Sequence, residues 1–190
     1  MKKAFLLAGI LFISVISTAC INNFAIRELN NKAKEFMDKG DYASAIERLK
    51  SGVDLDATVF ETQYNLAVAY TQAEDYDNAV KTYKEVIKLN PDFADSYYSL
   101  AVCEENLAKD IISQKIEVNE DGSMQKAEED DQKDKTLSDK AKDIITELLN
   151  DSIANYKLYS EKSSEDGIDE KIKELETLLE QNGNNSSISE

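Results

Sequence analysis

The 190-residue chain has no histidine, no tryptophan, one proline and two cysteines. Each scarcity excludes something. Without histidine the commonest general base and metal ligand is missing, and two cysteines cannot assemble the thiolate sets that hold structural zinc or an iron–sulfur cluster. Catalysis and cofactor binding are therefore not expected. A single proline and six glycines leave few places to break a helix, so an all-α fold is expected. Basic residues are also outnumbered, with Lys+Arg 22 against Asp+Glu 38 and a net charge of -16. That surface repels phosphate backbones, so nucleic acid is not an expected partner. Whether the charge only solvates the protein or also selects a basic partner stays open at this point.

The first twenty residues have the layout of a secretory leader. Met1-Lys2-Lys3 is positive, Ala4 to Ile16 is apolar, and Ser17-Thr18-Ala19 presents small residues before Cys20. The apolar run is shorter than the about 20 residues that a spanning helix needs. The segment resembles the bacterial lipobox, in which the cysteine is lipidated and becomes the first residue of the mature protein. Ser17 departs from the leucine favoured there. The resemblance implies a signal peptide over 1–19, a lipidated Cys20 and a short tether to residue 25, on a protein held in the cell envelope at the outer membrane and facing the periplasm. Ordinary signal cleavage to a periplasmic protein is the alternative. Cys103, within a helical pattern, reads as a small core residue.

Residues 40 to 56 read GDYASAIERLKSGVDLD and residues 74 to 90 read EDYDNAVKTYKEVIKLN, a return after 34 positions. Gln63-x2-Leu66-Ala67-x2-Tyr70, Ala79-x3-Tyr83 and Pro91 follow the motif of the tetratricopeptide repeat (TPR), which the chain resembles over residues 26–180. Ala33, Ala67 and Ala101 are equivalent small positions on first helices, and Ala45 and Ala79 are their partners on second helices. Small residues there let helices approach while Phe36, Tyr42, Tyr70, Tyr76 and Tyr83 fill the gaps. The resemblance implies a short solenoid of about three helical hairpins, over 26–59, 60–93 and 94–164.

The third hairpin departs from the pattern. Leu107, Ile111, Ile112 and Ile116 keep helical spacing beyond the usual end of a first helix, and Ala141 to Tyr156 mark a long amphipathic helix. An elongated hairpin with an acidic insertion over 117–137 is expected. Ile168, Ile172, Leu175, Leu178 and Leu179 then mark a capping helix over 167–181, with a disordered tail over 182–190. Within the insertion, Glu117-x-Asn119-x-Asp121-Gly122-x5-Glu128 has the spacing of an EF-hand calcium loop. It departs in the longer Glu117 and in lacking apolar residues after Glu128.

In the TPR family the inner faces of the first helices line a groove that takes a protein segment. Matching by motif places Asn30, Lys34 and Met37 there, then Tyr64, Val68 and Gln72, then Tyr98, Val102 and Glu105. The bland reading of these side chains is packing against neighbouring helices. The expected function is thus binding of a protein or peptide, with some basic character in the ligand to suit the charge, as adaptor or assembly factor in outer-membrane, secretion or pilus machinery. A self-associating envelope scaffold is the alternative.

Overall fold

The computed structural model describes residues 21–127, 136–163 and 167–184. The leader and Cys20 therefore lie outside the described residues, as do Glu128 and the last six positions. Seven helices and one two-stranded hairpin are present among those described: α1 through 21–37, α2 (Tyr42–Leu55), α3 (Phe60–Gln72), α4 (Tyr76–Leu89), α5 (Ala94–Ile112), β1 (Ile116–Val118), β2 (Met124–Lys126), α6 (Asp139–Ser163) and α7 (Ile168–Asn184). The chain divides into two compact units, residues 1–73 and 74–190.

The repeat shows itself first in the turns. The Asp41 carboxylate accepts a hydrogen bond from the Ser44 backbone N–H (3.1 Å), and Asp75 accepts from that of Asn78 (3.4 Å), so each caps the helix it precedes. Just before each cap the backbone turns through the left-handed region, at Gly40 (φ 74) and at Glu74 (φ 55). Glycine accepts that conformation freely and glutamate does not.

In the first unit, α1, α2 and α3 close over Ala33, Ala45, Leu49, Leu66 and Ala69, with Phe36, Met37, Ile46, Val53 and Tyr70 packed around them. Gly52 lets α2 approach α3 so closely that a Cβ there would lie 2.9 Å from Cγ2 of Thr62. In the second unit, α5 and α6 form the long hairpin expected. Ala101 is fully buried where the helices meet, and the buried Ser152 hydroxyl donates to its carbonyl oxygen at 2.8 Å. α7 packs on α6 through Ile172 and Leu175.

The structure corrects the sequence reading in four places. Residues 21–25, expected as a tether, are already helical. α5 stops at Ile112, so Ile116 lies in a strand and does not prolong the helix. Part of the acidic insertion is ordered as an antiparallel β-hairpin with Val118 opposite Met124, turned at Gly122 (φ 83). α7 continues to Asn184, because the buried Asn182 amide donates to the Lys142 carbonyl and the Thr146 hydroxyl, both at 3.2 Å, and holds the last turn on α6.

Candidate functional site

In the first unit, Asn30, Lys34 and Met37 of α1 share an open depression of about 370 Å³ with Asn31, Ala33, Asp38 and, from α3, Glu61 and Asn65. A line of side-chain amides organises it. Asn65 Nδ2 donates to Asn30 Oδ1 (2.9 Å), and Asn30 Nδ2 donates to Thr62 Oγ1 (2.8 Å) and to the Ile26 carbonyl (3.0 Å). These bonds fix the Asn30 amide, and Asn65, which also lines the depression, is left with one acceptor and one donor not used within the described residues. Lys34 is exposed, and Met37 is partly spent on the core.

The three residues expected from α3 do not line this depression. Tyr64 stacks on Phe60 with centroids 6.1 Å apart and planes at 11°, Val68 is half-buried, and Gln72 is exposed. Glu61 and Asn65 stand in the depression in their place. Both lie on the same helix, one turn before and one residue after Tyr64. A helical spacing chosen from one motif position missed them.

In the second unit, Tyr98 keeps 43% of its surface exposed but leans on α6, 5.7 Å from the Tyr156 ring and 5.1 Å from that of Tyr159. Val102 is half-buried. Glu105, expected on the binding face, is instead 3% exposed. Lys109 and Lys171 (2.8 Å) form ion pairs with its carboxylate, which also accepts from the Tyr156 hydroxyl (3.2 Å). Burial pushes the Glu105 carboxyl up, but the hydrogen bonds from the two lysines outweigh it and hold the group below its ordinary value. Glu105 is thus a strut joining α5, α6 and α7, and the reason it left the binding face is the capping helix that brings Lys171 to it.

Its neighbour Glu104 is treated oppositely. Its side chain is fully buried. Oε2 accepts from Asn155 Nδ2 at 2.8 Å, while Oε1 stands 3.5 Å from Lys84 Nζ and receives no hydrogen bond. Burial pushes this carboxyl up to about 7, against the pull of Asn155 and Lys84 and with a further push from Asp151. Lys84, Asp151 and Asn155 line an open depression of about 420 Å³ with Tyr97, Leu100 and Ala154.

The EF-hand spacing serves a different structure. Glu117 pairs with Gln125 across the strands, and Asp121 accepts from the backbone N–H (2.9 Å) and hydroxyl (2.6 Å) of Ser123. Asn119 Nδ2 donates to the same hydroxyl at 2.9 Å. The side chains close a β-turn where a calcium loop would direct them at an ion, and no group of three His, Cys, Asp or Glu among the described residues converges to hold a metal. Nor is any described helix long and apolar enough to cross a membrane.

A family model of the TPR repeat matches residues 69–103. No curated protein matches the sequence. Among solved structures, the first TPR domain of human RPAP3 is similar with a TM-score of 0.56 at 15% identity, covering 84% of this chain and 96% of that one. The first TPR of Spaghetti (RPAP3) bound to the HSP90 peptide SRMEEVD is similar at the same TM-score of 0.56 and 15% identity, over 82% of this chain and 93% of that one. The second TPR domain of human RPAP3, in complex with the HSP70 peptide SGPTIEEVD, gives 0.56 at 13% identity over 82% and 98%. The fold is therefore all-α and TPR-like, built from successive helical hairpins.

Proposed function

We propose that this TPR-like chain is an adaptor of the bacterial cell envelope, anchored by lipid at Cys20, that captures a segment of another protein on the α1–α3 face of its first unit. One observation carries the binding site. The amide line from Thr62 through Asn30 to Asn65 leaves Asn65 with one donor and one acceptor to spare on the lining of an open depression, the pair that the backbone of an extended segment can satisfy. The anchor is supported by the leader and by the small residues before Cys20.

The structurally similar RPAP3 domains were solved with peptides ending in the acidic sequence EEVD. The depression here sets Lys34 against Asp38 and Glu61, so a ligand of that kind would meet more negative than positive charge. A neutral or basic segment suits it better. We assign no catalytic step to the chain: it lacks histidine, the commonest general base.

A photo-crosslinking residue in place of Lys34, in living cells, should trap the partner and identify it. Asn65→Ala should then weaken capture of that partner about tenfold, as expected for the loss of one or two directed hydrogen bonds, with helix content unchanged. Undiminished capture by folded Asn65→Ala would move the site off this face.

A further inference from the structure

The first described turn of α1, residues 21–24, is unlike the rest of the surface. Ile21 is 66% and Phe24 75% exposed, the two most exposed large apolar side chains among the described residues. Three positions apart on a helix, they share one face, while Ile26 beside them is 4% exposed and faces the first unit. Farther along α1, the exposed positions are all polar or charged: Arg27, Glu28, Asn31, Lys32, Lys34 and Glu35. The bare apolar surface of α1 is thus confined to the four positions that follow Cys20 in sequence. Residue 21, which follows the cysteine directly in sequence, is already helical.

We propose that this turn lies in the bilayer interface, with Ile21 and Phe24 immersed at the boundary between headgroups and acyl chains as a second membrane contact beside the lipid. The inference rests on the lipidation of Cys20. A lipid on that residue holds the following turn at the membrane surface, where an aromatic and a branched aliphatic side chain gain by leaving water. The charge distribution agrees. Residues 21–73 carry 6 Lys and Arg against 8 Asp and Glu, whereas residues 74–190 carry 14 against 30. The unit that begins with this turn is close to neutral, so anionic headgroups do not repel it as they would the second unit.

The chain's lack of tryptophan makes the test direct. Full-length Phe24→Trp protein, processed in cells and reconstituted into phosphatidylcholine vesicles, carries a single indole. Its emission should shift to shorter wavelength and be quenched by lipids brominated on their acyl chains. Glu35→Trp, about three turns farther along an exposed face, should be neither shifted nor quenched. If the protein floats with vesicles and its terminal mass shows the lipid, but the indole at position 24 is unquenched, the interfacial turn is refuted and the anchor stands. A shifted but unquenched indole also overturns the proposal, and assigns the patch to protein, a second copy of the chain included. An unmodified Cys20 with no flotation ends both readings together.

Discussion

Replacing Glu104 by glutamine isolates one buried charge. The folded carboxyl titrates near 7 and the unfolded one near its ordinary 4.5. A folded value above the unfolded one means that the neutral form is favoured by folding. The penalty is absent below the unfolded value, grows as pH rises through the interval, and is complete above about 7. Its full size is about 3 kcal/mol, from a shift of between two and three pH units at 1.36 kcal/mol each, and the group is fully buried, so solvent does not screen it away. Wild-type protein should therefore lose about 2 kcal/mol or more of stability between about pH 5 and about pH 8.5 from this group alone. Glutamine keeps the shape and an acceptor for Asn155. The variant should match the wild type at the acid end, exceed it at the alkaline end, and show a flatter profile by that amount. Urea denaturation followed by helix circular dichroism, at matched ionic strength, reads the difference. Repulsion within so acidic a chain also changes with pH, but it is common to both proteins. Parallel profiles would show that Lys84 and Asn155 compensate the charge in full, and the argument from burial would fail.

Two further substitutions test the repeat geometry. Glu74→Gly should stabilise the protein by about 0.5–1 kcal/mol in thermal or urea unfolding, because it places at the second left-handed turn the residue that the first already has at position 40. Gly52→Ala should do the reverse despite alanine's higher helix propensity. Its methyl meets a buried, β-branched Thr62 at 2.9 Å, so a net loss of about 1 kcal/mol or more is expected, together with weaker partner capture, since Thr62 accepts the bond that fixes Asn30.

The helical frame was legible because its causes are local and periodic. Ala33, Ala45, Ala67, Ala79 and Ala101 recur where helices touch, and all five are at most 1% exposed. The expectation for Glu105 failed because its motif position says where its Cα lies, and not that Lys171, 66 residues later, arrives to neutralise it. Glu104 was invisible for the same reason, since a glutamate in a helix reads as solvated until α4 and α6 close around it. The β-hairpin was readable. Asp121-Gly122 between alternating Ile116, Val118 and Met124 is a turn signal flanked by strand pattern, but Ile116 also continues the helical spacing of Leu107, Ile111 and Ile112, which carries the expected helix over it. Of the face expected to meet a partner, the α1 residues line the depression and the α3 residues do not, because three residues of a helix taken in isolation do not say which of its sides meets the neighbouring helix.

That small hairpin also bears on how the second unit comes together. α5 and α6 are separated by residues 113–138, and joining them requires closure of that whole stretch. The Ala127 N–H donates to the Lys115 carbonyl at 2.9 Å, so once the strands have paired, eleven intervening residues no longer count toward the loop. A hairpin of this size forms in about 1–10 μs, early enough to precede helix docking. The entropy saved is about 0.5 kcal/mol, little for the finished protein but roughly a doubling of the rate at which the two helices find each other. Lengthening the turn beyond Asn119 should therefore leave that rate almost unaltered, whereas breaking the pairing of Val118 with Met124 should slow it.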